Sequence, residues 1–204
     1  MHITDSLGGT QDNGTQKYGG VLPWDEVICG DGGWTAIDPV TPSNVYSSCW
    51  QGNGIVWRST AGGIIGSWSQ AVTGINLSDR MAFLPPLAID LLHPANLYLG
   101  TYRVYQTTNN AGNWTAISGA LAPDALTTIA VAPTNSNTVY TGASGSPGDS
   151  RVFVTTNALA GAGATWSNRS TGLPLQRFLT YVVVDPHTST TASRGFLGLL
   201  GLCG

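Results

Sequence analysis

The sequence predicts an all-β fold of short antiparallel strands, and its composition is the first observation that favours this class. Only 9 % of the 204 residues are charged, with a single lysine (Lys17) and a single glutamate (Glu26), whereas glycine occurs 27 times. Long helices draw on Glu, Lys, Leu and Ala, so this mixture disfavours them. Short runs of Thr, Ser, Asn, Trp and Tyr broken by glycine are instead typical of strands joined by tight turns.

An internal repeat is the second observation. Four segments align as an apolar run followed by a polar turn, and the first three continue into a run with a tyrosine: residues 36–48, 88–100, 130–142 and 183–195. Each of the first three is followed by a strand, a Gly/Asn turn and a tryptophan, in residues 56–68, 104–114 and 152–166. One repeat therefore contains four short strands in about 42–53 residues, which is the content of one β-propeller blade.

The repeat spacing also predicts how the chain is divided. We expect three full blades of four antiparallel strands at about residues 34–86, 87–127 and 128–180, with partial blades at 7–33 and 181–187. Residues 188–204 lack a tyrosine-bearing strand where one should follow, so we expect an irregular apolar tail there. These features indicate a fragment of a larger propeller. A small sheet needs neighbours to bury its faces, so further blades or self-association are expected.

A tryptophan recurs at one position of each full repeat, as Trp68, Trp114 and Trp166. Because stacked blades bury each other's faces, we expect these rings to pack between blades. The alternative is a platform on which sugar rings stack, and it requires an exposed ring.

The turn before each of these tryptophans resembles the Asp-box of sialidase-like (BNR) repeats, Ser/Thr-x-Asp-x-Gly-x-Thr-Trp. The matching residues are Ser59, Gly63 and Trp68, then Thr107, Asn109 and Trp114, then Thr155, Asn157 and Trp166. The aspartate itself is replaced in every copy, so the boxes are degenerate. GGTQDNGT, CGDGGW and GTYRVYQTT also resemble exported sortilin-type propellers, which lie near the xyloglucan-cleaving glycoside hydrolases of the same fold. The resemblance implies that the boxes are structural turns without a catalytic role.

Four residues are candidates for ligand binding. Asp12, Asn13 and Asp31 lie in glycine-rich turns that allow a ligand to approach the backbone, and Arg103 lies in the third of the resembling segments. Asp12 and Asp31 are also the two candidates for catalysis, although both aspartates could simply form tight turns. Glycoside hydrolysis usually needs two carboxylates across the scissile bond. A sialidase needs an arginine triad, and the Arg-Ile-Pro start of that family is absent.

These observations predict an extracellular propeller module that binds glycan or protein and has no catalysis on its own. One alternative is a fragment of a glycoside hydrolase of the xyloglucanase or sialidase-like propeller type. Another is a structural repeat of a large surface protein. The sequence has no basic run, so a nucleic-acid partner is not expected, and its apolar runs are too short to span a membrane. The histidines are isolated and lack the spacing of paired ligands, so no metal is expected. No other cofactor is expected either.

Two of the three cysteines, Cys29 and Cys49, lie on either side of the first repeated hairpin. Pairing the strands of that hairpin places Cys29 roughly 13 Å along the strand from the position opposite Cys49. A disulfide between them would require a bend in the chain, and the sequence leaves their redox state open.

Overall fold

A computed structural model describes residues 6–51, 54–144, 150–173 and 178–197 of the chain. These residues form 17 β-strands and one short 3-10 helix, Ala158–Gly163. The strands belong to five antiparallel sheets of three, four, four, four and two strands in chain order. The predicted architecture, about three full blades with a partial blade at each end, is confirmed.

The strand bounds are as follows. The first sheet holds β1 (Ser6–Thr10), β2 (Gly14–Tyr18) and β3 (Trp24–Ile28). The second holds β4 (Asp31–Ile37), β5 (Val45–Gln51), β6 (Gly54–Ser59) and β7 (Trp68–Gln70). The third holds β8 (Leu87–Ile89), β9 (Leu97–Gly100), β10 (Val104–Thr107) and β11 (Thr115–Ala116). The fourth holds β12 (Leu126–Ala132), β13 (Asn135–Ser144), β14 (Ser150–Thr155) and β15 (Trp166–Asn168), and the fifth holds β16 (Phe178–Val184) and β17 (Ala192–Leu197).

The connectivity is that of propeller blades. In every sheet each strand pairs with its neighbour in the chain, so the chain crosses a sheet from its first strand to its last. The first strands of successive sheets contact one another: β4 contacts β8, β8 contacts β12, and β12 contacts β16. The first strands therefore form the inner edge of the arrangement, and β7, β11 and β15 form its outer edge.

The middle sheets are buried on both faces, which explains their apolar strands. In β9, Leu97 and Leu99 belong to the apolar cluster shared with the second sheet, whereas Tyr98 belongs to the cluster shared with the fourth. A third cluster, which includes Tyr140 and Leu179, joins the fourth and fifth sheets. A strand covered on both faces needs no polar residue at alternate positions.

The expectation of an irregular tail after residue 187 is wrong for Ala192–Leu197. These residues form β17, which pairs with β16 in a register that sets Ala192 opposite Val184. The turn between the two strands explains why. The Asp185 carboxylate accepts the backbone N–H groups of His187 and Thr188, at 2.8 and 2.9 Å, as Asp38 does in the first repeated hairpin. The turn thus fixes the register without a tyrosine in the second strand. Residues 198–204 lie outside the described part of the chain.

The boundary between the first and second sheets differs from the sequence-based expectation. β4 begins at Asp31 rather than near residue 34, and β12 and β16 likewise begin a few residues before the predicted boundaries. Cys29 and Cys49 form a disulfide with a Cα–Cα distance of 6.2 Å. The required bend is present, because Cys29 has a φ of 69° and the β4–β5 register shifts between Gly32 and Thr35. The disulfide joins the first sheet to the second.

Candidate functional site

The two ends of the blades carry different kinds of loop. Because the strands alternate in direction, the turns after the first and third strands of a full blade share one end, which we call the turn end. The loops after the second strand and the connections to the next blade share the other, the connector end. The connector end includes residues 71–86, 101–103 and 117–125. The 11–13 turn also lies there, because Asp12 contacts Asp31 at the start of β4.

Polar side chains at the turn end are bonded to the backbone of their own turns. The Asn109 Oδ1 atom accepts the Asn113 N–H at 3.0 Å, and the Asn157 Oδ1 atom accepts the Thr165 N–H at 2.9 Å. In the first box the Ser59 hydroxyl accepts the N–H groups of Ala61 and Gly63, both at 3.1 Å. Thr107 and Thr155 donate their hydroxyls to the asparagines of their own boxes. These side chains therefore close the turns in which they lie.

The three repeated tryptophans are not equivalent. Trp114 is 3 % exposed, and its indole N–H donates to the Ala71 carbonyl of the preceding sheet at 2.7 Å. Trp166 makes the same kind of bond to Ile117 at 3.0 Å. Trp68 is partly buried, as Trp166 is, but it donates instead to Gly63 in its own turn, at 3.3 Å. Packing between blades thus describes Trp114 and Trp166 better than it describes Trp68.

At the connector end the structure brings Asp12 and Asp31 together. The backbone N–H of Asp12 donates to the Asp31 Oδ1 atom at 3.0 Å, and Asp12 has a φ of 62°. Asn13 is exposed beside them and donates its side-chain amide to the Gln11 carbonyl at 3.2 Å. A Cβ atom on Gly32 would collide with the Gly14 carbonyl. Both glycine-rich motifs therefore serve the close contact between the first and second sheets, and they also present Asp12 and Asp31 to solvent.

An exposed aromatic ring lies beside this pair, and sequence reasoning missed it. Trp50 is 45 % exposed and is the direct β-ladder partner of Asp31. Directly opposed residues in an antiparallel ladder place their side chains next to each other on one face. No repeat position marks Trp50, so only the register of β4 against β5 could have revealed it.

Arg103 does not join this group. Its Nε atom forms an ion pair of 2.9 Å with the Asp79 Oδ2 atom, and its guanidinium lies 4.6 Å from the centre of the Tyr102 ring. Asp79 was also missed in the sequence, because it lies in the 71–86 connector, which is longer than the equivalent 117–125 connector of the next repeat. Its carboxylate is 1 % exposed and accepts hydroxyl bonds from Thr101 at 3.1 Å and Tyr105 at 2.7 Å. Burial and the bond to Asp79 raise the pKa of Tyr105.

The contacts around Asp79 link two loops of the connector end. The other carboxylate oxygen of Asp79 is buried and has no hydrogen-bond partner among the described residues. The ion pair with Arg103 and the two hydroxyl donors on the same buried oxygen hold the 71–86 connector against β10 and the loop before it. Beside it lies a shallow groove of about 360 Å³, lined by Arg80, Met81, Asp124 and Thr127 among others.

The described residues offer no group of three or more side chains suited to hold a metal ion. None of the helical structure in the described ranges is long and apolar enough to cross a membrane.

The fold and this distribution of side chains define the chain as a β-propeller protein. No family model matches the sequence, and a search of curated proteins found no significant match. Among solved structures, an ancestral GH74 enzyme matches 95 % of the chain with a TM-score of 0.71 and 22 % identity. The GH74 xyloglucanase from Xanthomonas campestris matches 92 % with a TM-score of 0.63 and 14 % identity. YCF48 bound to D1 peptide matches 95 % with a TM-score of 0.55 and 14 % identity.

These similarities establish the fold. The chain spans only 27 % of the ancestral GH74 enzyme and 32 % of the Xanthomonas enzyme, and it spans 65 % of the YCF48 chain.

Proposed function

We propose that this chain is a segment of an extracellular propeller that binds a glycan at its connector end and does not hydrolyse the glycan on its own. The observation that carries the proposal is the juxtaposition of exposed Trp50 with Asp31, beside Asp12 and Asn13. An exposed aromatic face stacks on a sugar ring while neighbouring carboxylate and amide groups bind its hydroxyls. The Cys29–Cys49 disulfide supports an extracellular location, because such bonds persist in oxidising compartments.

We further propose that the three boxes at the turn end are degenerate Asp-boxes of the sialidase-like repeat. Their support is the shared pattern in which a Ser, Thr or Asn side chain closes the turn before the tryptophan. This assignment gives them a structural role and leaves ligand binding to the opposite end.

The alternative is a fragment of a glycoside hydrolase, and the GH74 structural similarity favours it. In that case Asp31 or Asp12 would serve as one carboxylate of a catalytic pair. Asp31 already accepts the Asp12 backbone N–H, and the chain spans less than a third of each GH74 enzyme compared above. This alternative assigns the second carboxylate to sequence outside this chain.

A glycan array and a polysaccharide-hydrolysis assay on the full chain test the proposal. Trp50→Ala should weaken binding about tenfold, which corresponds to about 1.4 kcal/mol. Asp31→Asn should weaken binding as well, because it removes a charged acceptor. Asp185→Asn, which changes an acid at the turn end, is the matched control and should leave binding unchanged.

The assays also separate the alternatives. We expect no release of reducing sugar from sialosides or β-glucans. Turnover that disappears in Asp31→Asn would establish the glycoside hydrolase alternative. If the chain binds a protein but no glycan, the ligand is a protein rather than a glycan. The absence of both binding and hydrolysis would favour a structural repeat.

A further inference from the structure

The seam between the first and second sheets differs from the two seams that follow it. In the later seams an indole N–H crosses to a carbonyl of the preceding sheet, from Trp114 to Ala71 and from Trp166 to Ile117. In the first seam Trp68 bonds within its own turn. An open cleft of about 550 Å³ lies along this seam, and it is lined by Glu26, Val27, Ile28, Cys29, Gly30, Trp57, Gly66 and Trp68.

A second aromatic side chain, Trp57, also differs from its equivalents in the later repeats. Trp57 lies two residues before the first box, where the other repeats have Tyr105 and Phe153, which are 2 % and 6 % exposed. Trp57 is only partly buried and lines the cleft. Its indole N–H is buried and has no hydrogen-bond partner among the described residues, which is costly for a donor of this kind. Both aromatic positions that close the later seams thus face an open space in the first.

The walls of the cleft are held in place. Cys29 belongs to the lining, and its disulfide to Cys49 ties the first sheet to β5 of the second. Thr15 and Ser47 add a buried hydroxyl–hydroxyl bond of 2.9 Å between the same two sheets. A cleft with covalently joined walls does not need to be ordered when a ligand enters.

We propose that this cleft is a second binding site, distinct from the connector end, and that it takes a neutral glycan segment. Two indole rings supply stacking surface, and among the described residues of the lining Glu26 is the single side chain that carries charge, since Cys29 is in a disulfide. The Glu26 carboxylate accepts sugar hydroxyls, and these described residues offer no cation to bind a sulfate, a phosphate or a uronate. The volume lies within the range of about 300–1,000 Å³ that is usual for ligand pockets.

Titration calorimetry of the oxidised full chain with cellohexaose tests this site. Trp68→Ala should weaken binding at least tenfold, and Glu26→Gln should weaken it several-fold. The matched controls are Trp24→Ala, which changes an exposed tryptophan outside the cleft, and Asp25→Asn, which changes the neighbouring exposed acid. Both controls should stay within about twofold of the unmodified chain. Trp68→Phe, checked by circular dichroism, serves as the second variant if Trp68→Ala does not fold, and it should show an intermediate loss.

Three results would overturn the proposal. The first is the absence of binding, or equal losses in Trp68→Ala and Trp24→Ala. The second is stronger binding of a hexagalacturonate or of a proline-rich peptide than of cellohexaose, because either contradicts the ligand class. The third is cellohexaose binding that is lost in Trp50→Ala and kept in Trp68→Ala, because the connector end would then be the binding site. Binding that survives Trp50→Ala and fails in Trp68→Ala supports the cleft independently of the connector end.

Discussion

Replacing Trp114 by alanine removes the ring that joins the third sheet to the second. The side chain is 3 % exposed, and it lies in the apolar cluster that includes Tyr46, Ile75 and Leu97. Truncating a buried tryptophan costs about 3–5 kcal/mol through lost burial and the cavity that remains. The Ala71 carbonyl also loses its 2.7 Å donor, which adds about 1 kcal/mol if water does not replace it. We therefore expect Trp114→Ala to lower the free energy of unfolding by about 4–6 kcal/mol.

Urea denaturation followed by circular dichroism measures this change. Trp114→Phe keeps most of the apolar area and loses the N–H, so it should cost less than half as much. Trp50→Ala, which removes an exposed ring, should change stability by no more than about 0.5 kcal/mol. If Trp114→Ala costs less than about 1 kcal/mol, the idea that these tryptophans hold the blades together is refuted.

Three further predictions concern the disulfide, the buried tyrosines and the free edge of the last sheet. Reducing the bond between Cys29 and Cys49, which lie 20 residues apart, should lower stability by about 3 kcal/mol in thermal melts, and an unchanged melting temperature would contradict this. Burial raises the pKa of Tyr98 to about 12 from 10.0. The neutral phenol therefore contributes folding stability that is fully present below pH 10 and is lost as the pH rises through 12. Alkaline unfolding should show this loss, and Tyr98→Phe should reduce it. Because β17 has no partner on its outer side among the described strands, the isolated chain should self-associate in concentration-dependent light scattering, whereas a monodisperse monomer would count against this expectation.

The fold was largely predictable because its repeats are local. Each hairpin turn is closed by contacts within a short segment; for example, the Asp90 carboxylate accepts the N–H groups of Leu92 and His93. Each box before its tryptophan is equally local in sequence. Four-stranded sheets and buried faces follow from such segments. The β17 strand was missed because we required a tyrosine, whereas the Asp185 turn and the free edge of β16 suffice to pair it.

The candidate site was less predictable because its contacts join segments that do not repeat. The proximity of Asp12 to Asp31 depends on how the first sheet docks on the second, and the position of Trp50 depends on a shifted register. Arg103 was named as a ligand-binding residue, yet its ion pair is with Asp79 in the long 71–86 connector. The disulfide depends on one residue with positive φ, Cys29, which strand geometry does not anticipate. Non-local contacts of this kind leave no periodic signal in a sequence.

Hydrogen exchange of the full chain, with and without the glycan that binds best on an array, tests most directly whether the connector end is the binding end. We predict slower exchange in the 11–13 turn, at Asp31 and at Trp50 in β5. We predict no change in the second and third boxes, residues 108–113 and 156–165, which lie at the turn end and outside the proposed cleft. Protection confined to the turn end would contradict the proposed site, and so would a glycan that changes neither end.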